Sequence, residues 1–176
     1  MTDAAGDTAL LAAARAGHAE VALQILQRGA NPAVANSLGD TALHWACYRG
    51  DVGVAAKLLE KGAPAEAIGD VGNRPLHLAA CSGSEPLVTM LIVSGAQVSH
   101  KNDYGNTPLK LATDGPCRRV LKDATEAAKE GRRFLCACTG LFVGEGDSVA
   151  ASVVDRVSQP WVRPVRYSKE AAAKIG

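Results

Sequence analysis

Aromatic residues are scarce in this chain, since only seven of its 176 residues are Phe, Tyr or Trp. Large aromatic side chains contribute much of the buried area of many protein cores, so an aromatic-filled β-sandwich is not expected. In their place the chain has 32 alanines and 18 glycines. Side chains this small let backbones approach closely, which favours short helices packed against one another.

Long apolar runs and a strong net charge are also missing. The longest apolar stretch, Phe134 to Val143, has about half of the ~20 residues that a membrane helix needs, and the N-terminus does not resemble a secretory signal. No membrane partner is therefore expected. The net charge is +1, so no overall field favours nucleic acid. The charge is divided, because residues 1–115 are mildly acidic and residues 116–176 are basic.

Cysteines are few and irregularly spaced. Their number, five, is odd, and a chain of this length can bury a core without disulfides, so a cytoplasmic location is expected. Cys136 and Cys138, with Cys117, could bind zinc or form a redox pair, but a fourth ligand is missing. Their apolar surroundings favour burial as small hydrophobic side chains.

A step of 33 residues recurs along the first two thirds of the chain. Its members are Leu10, Leu43, Leu76 and Leu109, together with Gly6, Gly39, Gly72 and Gly105, Gly17, Gly50 and Gly83, and Gly29, Gly62 and Gly95. A fixed period of this length indicates a stacked repeat protein. Each unit then buries its apolar side against its neighbours.

The second copy shows what one unit contains. Thr41 precedes a helix-forming run and is predicted to cap it, and Gly50 ends this first helix after about two turns. Asp51 starts a second helix, which Gly62 closes. The polar stretch that follows predicts a turn projecting sideways. Each unit is therefore a helix–turn–helix with a projecting loop.

These motifs resemble the ankyrin repeat pattern Thr-Pro-Leu-His-x-Ala. The matching stretches are Thr41-Ala-Leu-His44, Arg74-Pro-Leu-His77 and Thr107-Pro-Leu-Lys110, with the endings Gly29-Ala-Asn31, Gly62-Ala63 and Gly95-Ala96. The resemblance covers roughly residues 3–131 and implies an all-α ankyrin-repeat solenoid with projecting β-turn loops. It sets the repeats at 3–35, 36–68, 69–101 and 102–131. Residues 132–176 are expected to form an extended C-terminal tail of docked loop and short helices.

Several positions depart from the pattern. Leu11 and Lys110 replace the histidine, and Arg74 replaces the threonine, losing a hydroxyl cap that Pro75 can offset by favouring the first helical turn. In the fourth copy, Gly115-Pro116 shortens the turn between helices. The last helix, about Cys117 to Glu130, is polar, as the end of a stack requires.

No catalytic, cofactor or metal site is expected. The resemblance implies that His44 and His77 are structural histidines that tie the turn to the neighbouring loop. The glycines follow the repeat and form no phosphate-binding motif. The resemblance therefore implies a protein–protein interaction module and not an enzyme.

The resemblance also implies a concave binding face, formed by loop tips and first helices. Carried over position by position, this face comprises Leu38, Asp40, Tyr48, Arg49, Val71, Asn73, Tyr104 and Asn106. Tyr48, Arg49 and Tyr104 are the expected hot spots, because tyrosine and arginine are enriched at such sites. The acidic residues of successive loops either present a negative edge to a basic partner or reflect ordinary turn chemistry. They are Asp7, Asp40, Asp70 and Asp103.

The C-terminal part has a different character. Residues 139–148 are predicted to form a glycine-punctuated loop, and Pro160 and Pro164 favour an extended conformation beyond it. The side chains expected to dock, on the protein's own repeats or on another macromolecule, are Trp161, Arg163, Arg166 and Tyr167. Protein is the expected partner and nucleic acid the less favoured one. The predicted role is a scaffold or structural component of a cytoskeletal or ciliary-type assembly, and the alternative is a regulator of a kinase or ubiquitin ligase.

Overall fold

The computed structural model describes residues 6–113, 115–129, 134–136 and 141–143. The first two of these ranges are helical with short connections. The helices are α1 (Ala9–Ala16), α2 (Ala19–Gln27), α3 (Ala42–Arg49), α4 (Val52–Glu60), α5 (Pro75–Ser82), α6 (Glu85–Val93), α7 (Pro108–Leu111) and α8 (Gly115–Lys129). The expected all-α solenoid of helix pairs is confirmed.

The second helix pair forms as the sequence predicts. Thr41 lies in an extended conformation just before α3, and Gly50 ends that helix in the left-handed region at φ 77°, where glycine carries no steric penalty. Asp51 follows, and α4 begins at the next residue. A turn this short folds the two helices back on each other, so their apolar sides face one core.

The helix pairs stack into two layers. In one layer α3 packs against α1 and α5, and α5 packs against α7; in the other, α4 packs against α2 and α6. The first-helix leucines Leu10, Leu43 and Leu76 are buried between repeats, as are Ala46 and Ala79. Alanine at these contacts lets neighbouring helices approach closely, which explains the alanine-rich composition.

The last helix pair differs from the others. α7 is a single turn, and α8 begins at Gly115, two residues before the predicted start, and ends at Lys129. α8 buries Cys117, Leu121 and Ala124, whereas Lys122 and Glu126 are exposed. This polar outer side fits the predicted role of a terminal cap.

A short antiparallel pair of strands follows the helices. β1 (Phe134–Cys136) pairs with β2 (Leu141–Val143), with Phe134 opposite Val143. The predicted loop over 139–148 is therefore wrong at 141–143, where Leu, Phe and Val favour a strand. The predicted tail residues Trp161, Arg163, Arg166 and Tyr167 lie outside the described residues. Within the described ranges, no helix is long and apolar enough to cross a membrane.

Candidate functional site

Two of the projecting loops are closed by an asparagine side chain. Asn36 Oδ1 accepts hydrogen bonds from the backbone N–H groups of Leu38 (3.0 Å) and Asp40 (2.9 Å). Asn102 Oδ1 does the same for Tyr104 (3.1 Å) and Asn106 (2.9 Å). Because the asparagine satisfies these donors, each loop holds its shape without covering its tip. The side chains of Leu38 and Tyr104 therefore project into solvent.

The same asparagines also join each loop to the preceding one. Asn36 Nδ2 donates to Asp7 Oδ1 at 3.1 Å, and Asn102 Nδ2 donates to Asn73 Oδ1 at 2.9 Å. Asp7 and Asn73 hold equivalent positions in their repeats. This polar contact therefore recurs between neighbouring loops and fixes one against the next.

The third loop makes the contact in another way, because Gly69 stands where the other loops have asparagine. Asp40 Oδ1 accepts directly from the backbone N–H of Asp70 at 3.0 Å. A Cβ atom on Gly69 would lie 2.3 Å from that carboxylate oxygen, so a side chain there would displace Asp40. At the tip, Val71 has φ 55°, a conformation that is rare for a β-branched residue.

These contacts bear on the two interpretations of the acidic loop residues, a negative edge or ordinary turn chemistry. Asp40 is only 7% exposed and Asp7 only 3%, which favours turn chemistry for these two. Their carboxylates are used between loops, where a buried oxygen needs a donor. Asn73 and Asn106 are half-buried and take part in the same loop contacts. The exposed acidic groups of this edge are Asp70 and Asp103.

His44 links the second repeat to the third, as predicted. Its Nδ1 atom accepts from the backbone N–H of Thr41 at 3.0 Å. Since Nδ1 is an acceptor, the ring proton lies on Nε2, which donates to the Asn73 carbonyl at 3.2 Å. Burial lowers the pKa of His44, against the opposing effects of the Asp40 charge and the backbone carbonyls. The imidazole is therefore neutral in the folded protein.

His77 makes the corresponding link between the third and fourth repeats. Its Nδ1 atom accepts from the Arg74 N–H at 3.1 Å, and its Nε2 atom lies 3.1 Å from the Asn106 carbonyl and 3.2 Å from that of His100. Burial lowers the pKa of His77 as well, with help from the Arg74 charge. Both nitrogens of both rings are thus engaged in backbone contacts.

We expect acid to destabilise the stack through these two histidines. Their folded pKa values are lowered, so below the unfolded value of about 6.5 the unfolded chain takes up protons first. The free energy of unfolding therefore falls as pH drops below about 6.5, by up to ~1.4 kcal/mol per pH unit for each histidine. Urea denaturation at pH 7.5, 6.5 and 5.5 measures this dependence. A His77→Leu variant should lose part of the slope, and an equal slope in that variant would contradict the assignment.

Arg74 compensates for the hydroxyl cap that its repeat lacks. Its guanidinium forms an ion pair with Glu66. Glu66 Oε1 in turn accepts from the backbone N–H of Gln97 at 2.9 Å, and Glu66 Oε2 lies 3.4 Å from His100 Nε2. The substitution of threonine thus creates a charged link between two successive loops.

Arg49 is exposed, as predicted, but the preceding repeat holds it. Its Nη1 atom donates to the Arg15 carbonyl at 3.4 Å, in the last turn of α1. A cation is favourable at the C-terminal end of a helix. Arg49 therefore has a structural contact as well as an exposed position.

Large apolar side chains lie exposed on the side formed by the loop tips and first helices. Leu38 is 58% exposed, Tyr48 59%, Ile68 60% and Tyr104 73%. Trp45 is half-buried and contacts Tyr48 edge to face, with ring centroids 6.1 Å apart. Its indole N–H is buried without a hydrogen-bond acceptor among the described residues. We call the surface formed by these five residues the apolar face.

The repeat period explains why these side chains share one side. Leu38, Val71 and Tyr104 are one period apart at the loop tips, and Trp45 is one period before the half-buried Leu78. Stacking brings equivalent positions next to each other: the Asp103 N–H donates to the Val71 carbonyl at 3.1 Å. The apolar face therefore has residues in the second and fourth repeats, and the half-buried Val71 lies between them in the third.

Comparison with family models agrees with this geometry. A model described as "Ankyrin repeats (3 copies)" matches residues 1–67, and one described as "Ankyrin repeat" matches residues 71–103. The chain belongs to the ankyrin repeat family. Its ankyrin repeats form a protein–protein interaction module. A comparison with curated proteins gave no match.

Ile68 belongs to the apolar face but was not predicted from the sequence. It follows the second helix pair, in a stretch predicted only as a polar turn. The equivalent positions of the neighbouring repeats hold Ala35 and Lys101. A large apolar residue at position 68 was therefore the feature of the sequence that could have indicated an exposed contact residue. The backbone of Ile68 lies close to Gly39, the residue that follows Leu38 in the loop.

Metal binding finds no support in the described part of this ankyrin repeat protein. There, no group of three or more His, Cys, Asp or Glu side chains could hold a metal ion. Burial raises the pKa of the Cys47 thiol, which keeps it protonated, and Cys117 is buried in the last repeat. Of the predicted cysteine pair, Cys138 lies outside the described residues.

Proposed function

We propose that this protein binds other proteins through the apolar face and has no catalytic role. The observation that carries the proposal is the placement of the exposed large apolar side chains. Among the described residues there are five, and four of them, Leu38, Tyr48, Ile68 and Tyr104, belong to this face. Exposed apolar side chains concentrated on one surface mark interaction sites more often than scattered ones do.

The tyrosine side chains of the face and the fixed loops that present it also support tight binding. Tyrosine supplies a large contact area with few rotatable bonds, and it is enriched among residues that dominate binding energy. The loops that present Leu38 and Tyr104 are already fixed by Asn36 and Asn102. A partner would therefore order few additional groups on binding, which reduces the entropic cost.

The histidine contacts support a non-catalytic role. A general base needs a ring nitrogen within reach of a substrate proton. In His44 and His77 one nitrogen accepts from a backbone N–H and the other donates to a backbone carbonyl. These rings connect repeats and leave no nitrogen for a substrate.

We further propose that the protein is a cytoplasmic component of a larger assembly, of cytoskeletal or ciliary type. The support is the basic, Trp- and Tyr-containing C-terminal sequence, which offers a second contact region beside the repeats. Two linked contacts hold a partner more firmly than either one alone. A regulator of a kinase or ubiquitin ligase would instead exchange readily and alter an enzyme activity.

A double variant, Tyr48→Ala/Tyr104→Ala, tests the binding face. We expect it to lose at least tenfold in partner capture, because each tyrosine removed from an interface centre costs about 2 kcal/mol. The measurement is affinity purification from the native source with quantitative mass spectrometry, at low and high salt. An assembly component should keep stoichiometric partners at high salt.

Val21→Ala is the matched control for this experiment. Val21 is exposed but lies on α2, in the other helix layer, so its removal should leave capture unchanged. Far-UV circular dichroism checks that both variants remain helical. Equal capture by the double variant and the control would refute the assignment of the binding face.

A further inference from the structure

The apolar face and one stretch of the C-terminal sequence have complementary chemistry. We propose that residues 156–168 bind across the apolar face of the same chain and compete there with the protein partner. This inference rests on the proposed function, because it concerns the regulation of the same site. Its support is the apolar residues of both partners, their opposite charges, the spacing of those charges and the length of the chain that connects the segment to the repeats.

Both the apolar face and residues 156–168 carry large apolar side chains. The face exposes Leu38, Tyr48, Ile68 and Tyr104, and the stretch 156–168 contains Trp161, Val162, Val165 and Tyr167. Its two prolines favour an extended backbone that needs no internal hydrogen bonds. Such a backbone loses little conformational freedom on binding.

The charges are opposite. Residues 156–168 include Arg156, Arg163 and Arg166 and no acidic residue. On the repeats, the exposed carboxylates of Asp70 and Asp103 stand next to the tip residues Val71 and Tyr104. The exposed cations Arg49 and Lys101 lie on α3 and at the position equivalent to Ile68, so the carboxylates considered for the arginines are those of the two tips.

The spacing of the charges also matches. Arg163 and Arg166 are three residues apart, which is about 9 Å in a polyproline-type extended chain. Asp70 and Asp103 are one repeat apart, and packed helices lie about 8–10 Å from each other. The hydrogen bond from the Asp103 N–H to the Val71 carbonyl shows that these two tips adjoin. Each arginine can therefore face one carboxylate.

The length of the connection favours binding within one chain, because the strand pair that precedes it packs against α8 in the last repeat. Twelve residues separate Val143, the end of β2, from Arg156, and an extended chain of that length spans up to ~40 Å. From α3 to α7 the face extends over two helix spacings, about 20 Å. A short flexible tether gives an effective concentration on the order of 1 mM. Even a contact with a Kd of about 100 µM would then be closed in roughly 90% of molecules.

Trp45 provides a direct readout of this contact. The chain has two tryptophans, so Trp161→Phe in the full-length protein leaves Trp45 as the only one and keeps an aromatic ring in the tail. In this background we expect Arg163→Glu/Arg166→Glu to increase acrylamide quenching of Trp45 fluorescence about twofold, because the segment leaves the face. Lys169→Glu/Lys174→Glu, an equal charge change outside the segment, is the matched control and should have no effect.

A reciprocal exchange of charge completes the test. Asp70→Lys/Asp103→Lys should raise quenching as the tail variant does, and combining both pairs of substitutions should restore the original value. Quenching that is unchanged in all variants, or equally raised in the control, would overturn the proposal. So would quenching that depends on protein concentration, since that result indicates a contact between two copies. Circular dichroism confirms that each variant keeps its helices.

Failure of this inference can be told apart from failure of the proposed function. If Tyr48→Ala/Tyr104→Ala abolishes partner capture but the tail variant leaves Trp45 quenching unchanged, the face binds partners and residues 156–168 do not cover it. If the quenching results hold while capture is unaffected by the tyrosine variant, the segment covers the face and the partner binds elsewhere.

Discussion

His77→Leu should lower the free energy of unfolding by about 3 kcal/mol. Leucine fits the available volume, because Leu11 fills the equivalent position of the first repeat and is buried there. The loss therefore comes from polar groups: the Arg74 N–H and the Asn106 carbonyl lose their partner on the ring. A buried polar group without a hydrogen bond costs about 1–3 kcal/mol. Urea denaturation at pH 7.5, followed by circular dichroism, measures the change.

His18→Leu is the control for this prediction. His18 is exposed and precedes α2 without a side-chain capping hydrogen bond, so its replacement should change stability by less than about 0.5 kcal/mol. Hydrogen exchange adds a spatial test, since the loss at His77 should appear first between the third and fourth repeats. Equal losses in the two variants would show that the ring contacts do not stabilise the stack.

Gly39→Ala should also destabilise the fold by about 3 kcal/mol. Gly39 has φ 87°, and a Cβ atom there would lie only 2.6 Å from the carbonyl oxygen of Ile68, the last residue of the same repeat. The left-handed conformation costs an alanine about 1 kcal/mol. Moving the backbone at Ile68 adds about 2 kcal/mol, within the range known for overpacked sites.

Gly105→Ala separates these two contributions. Gly105 occupies the same position of the repeat and has φ 72°, but a Cβ atom there would meet no described residue within 4 Å. We expect this variant to lose only about 1 kcal/mol, the conformational part alone. Thermal or urea denaturation of both variants tests the difference, and losses of the same size would contradict a role for the contact with Ile68.

Much of the fold could be predicted from local sequence because each repeat specifies its own boundaries. Thr41 and Gly50 delimit one helix in the sequence and in the structure. The histidine link could also be anticipated, through the family resemblance, and the contact of His44 with Asn73 confirms it. The strand at 141–143 was missed, because a three-residue apolar stretch between glycines does not distinguish strand from loop.

The exposure of the residues in the predicted binding face could not be read from the sequence, since exposure depends on neighbouring repeats. Asp40 and Tyr104 both lie in projecting loops, and both were expected at the surface. The structure buries Asp40 against the next loop and leaves Tyr104 exposed. Ile68 was not considered, because the repeat pattern describes its segment only as a turn.

The stack of helix pairs is already encoded in the amino-acid sequence, because a 33-residue period of caps, leucines and glycines specifies the same local structure in each repeat. Which equivalent positions differ in their surroundings becomes visible only in the folded stack. Gly39 and Gly105 hold the same position in the sequence pattern, but among the described residues only a Cβ atom on Gly39 would meet a neighbour, the Ile68 carbonyl oxygen. The physical reason is that a repeat acquires its burial from its neighbours, and a period in the sequence does not record which atoms meet across the stack.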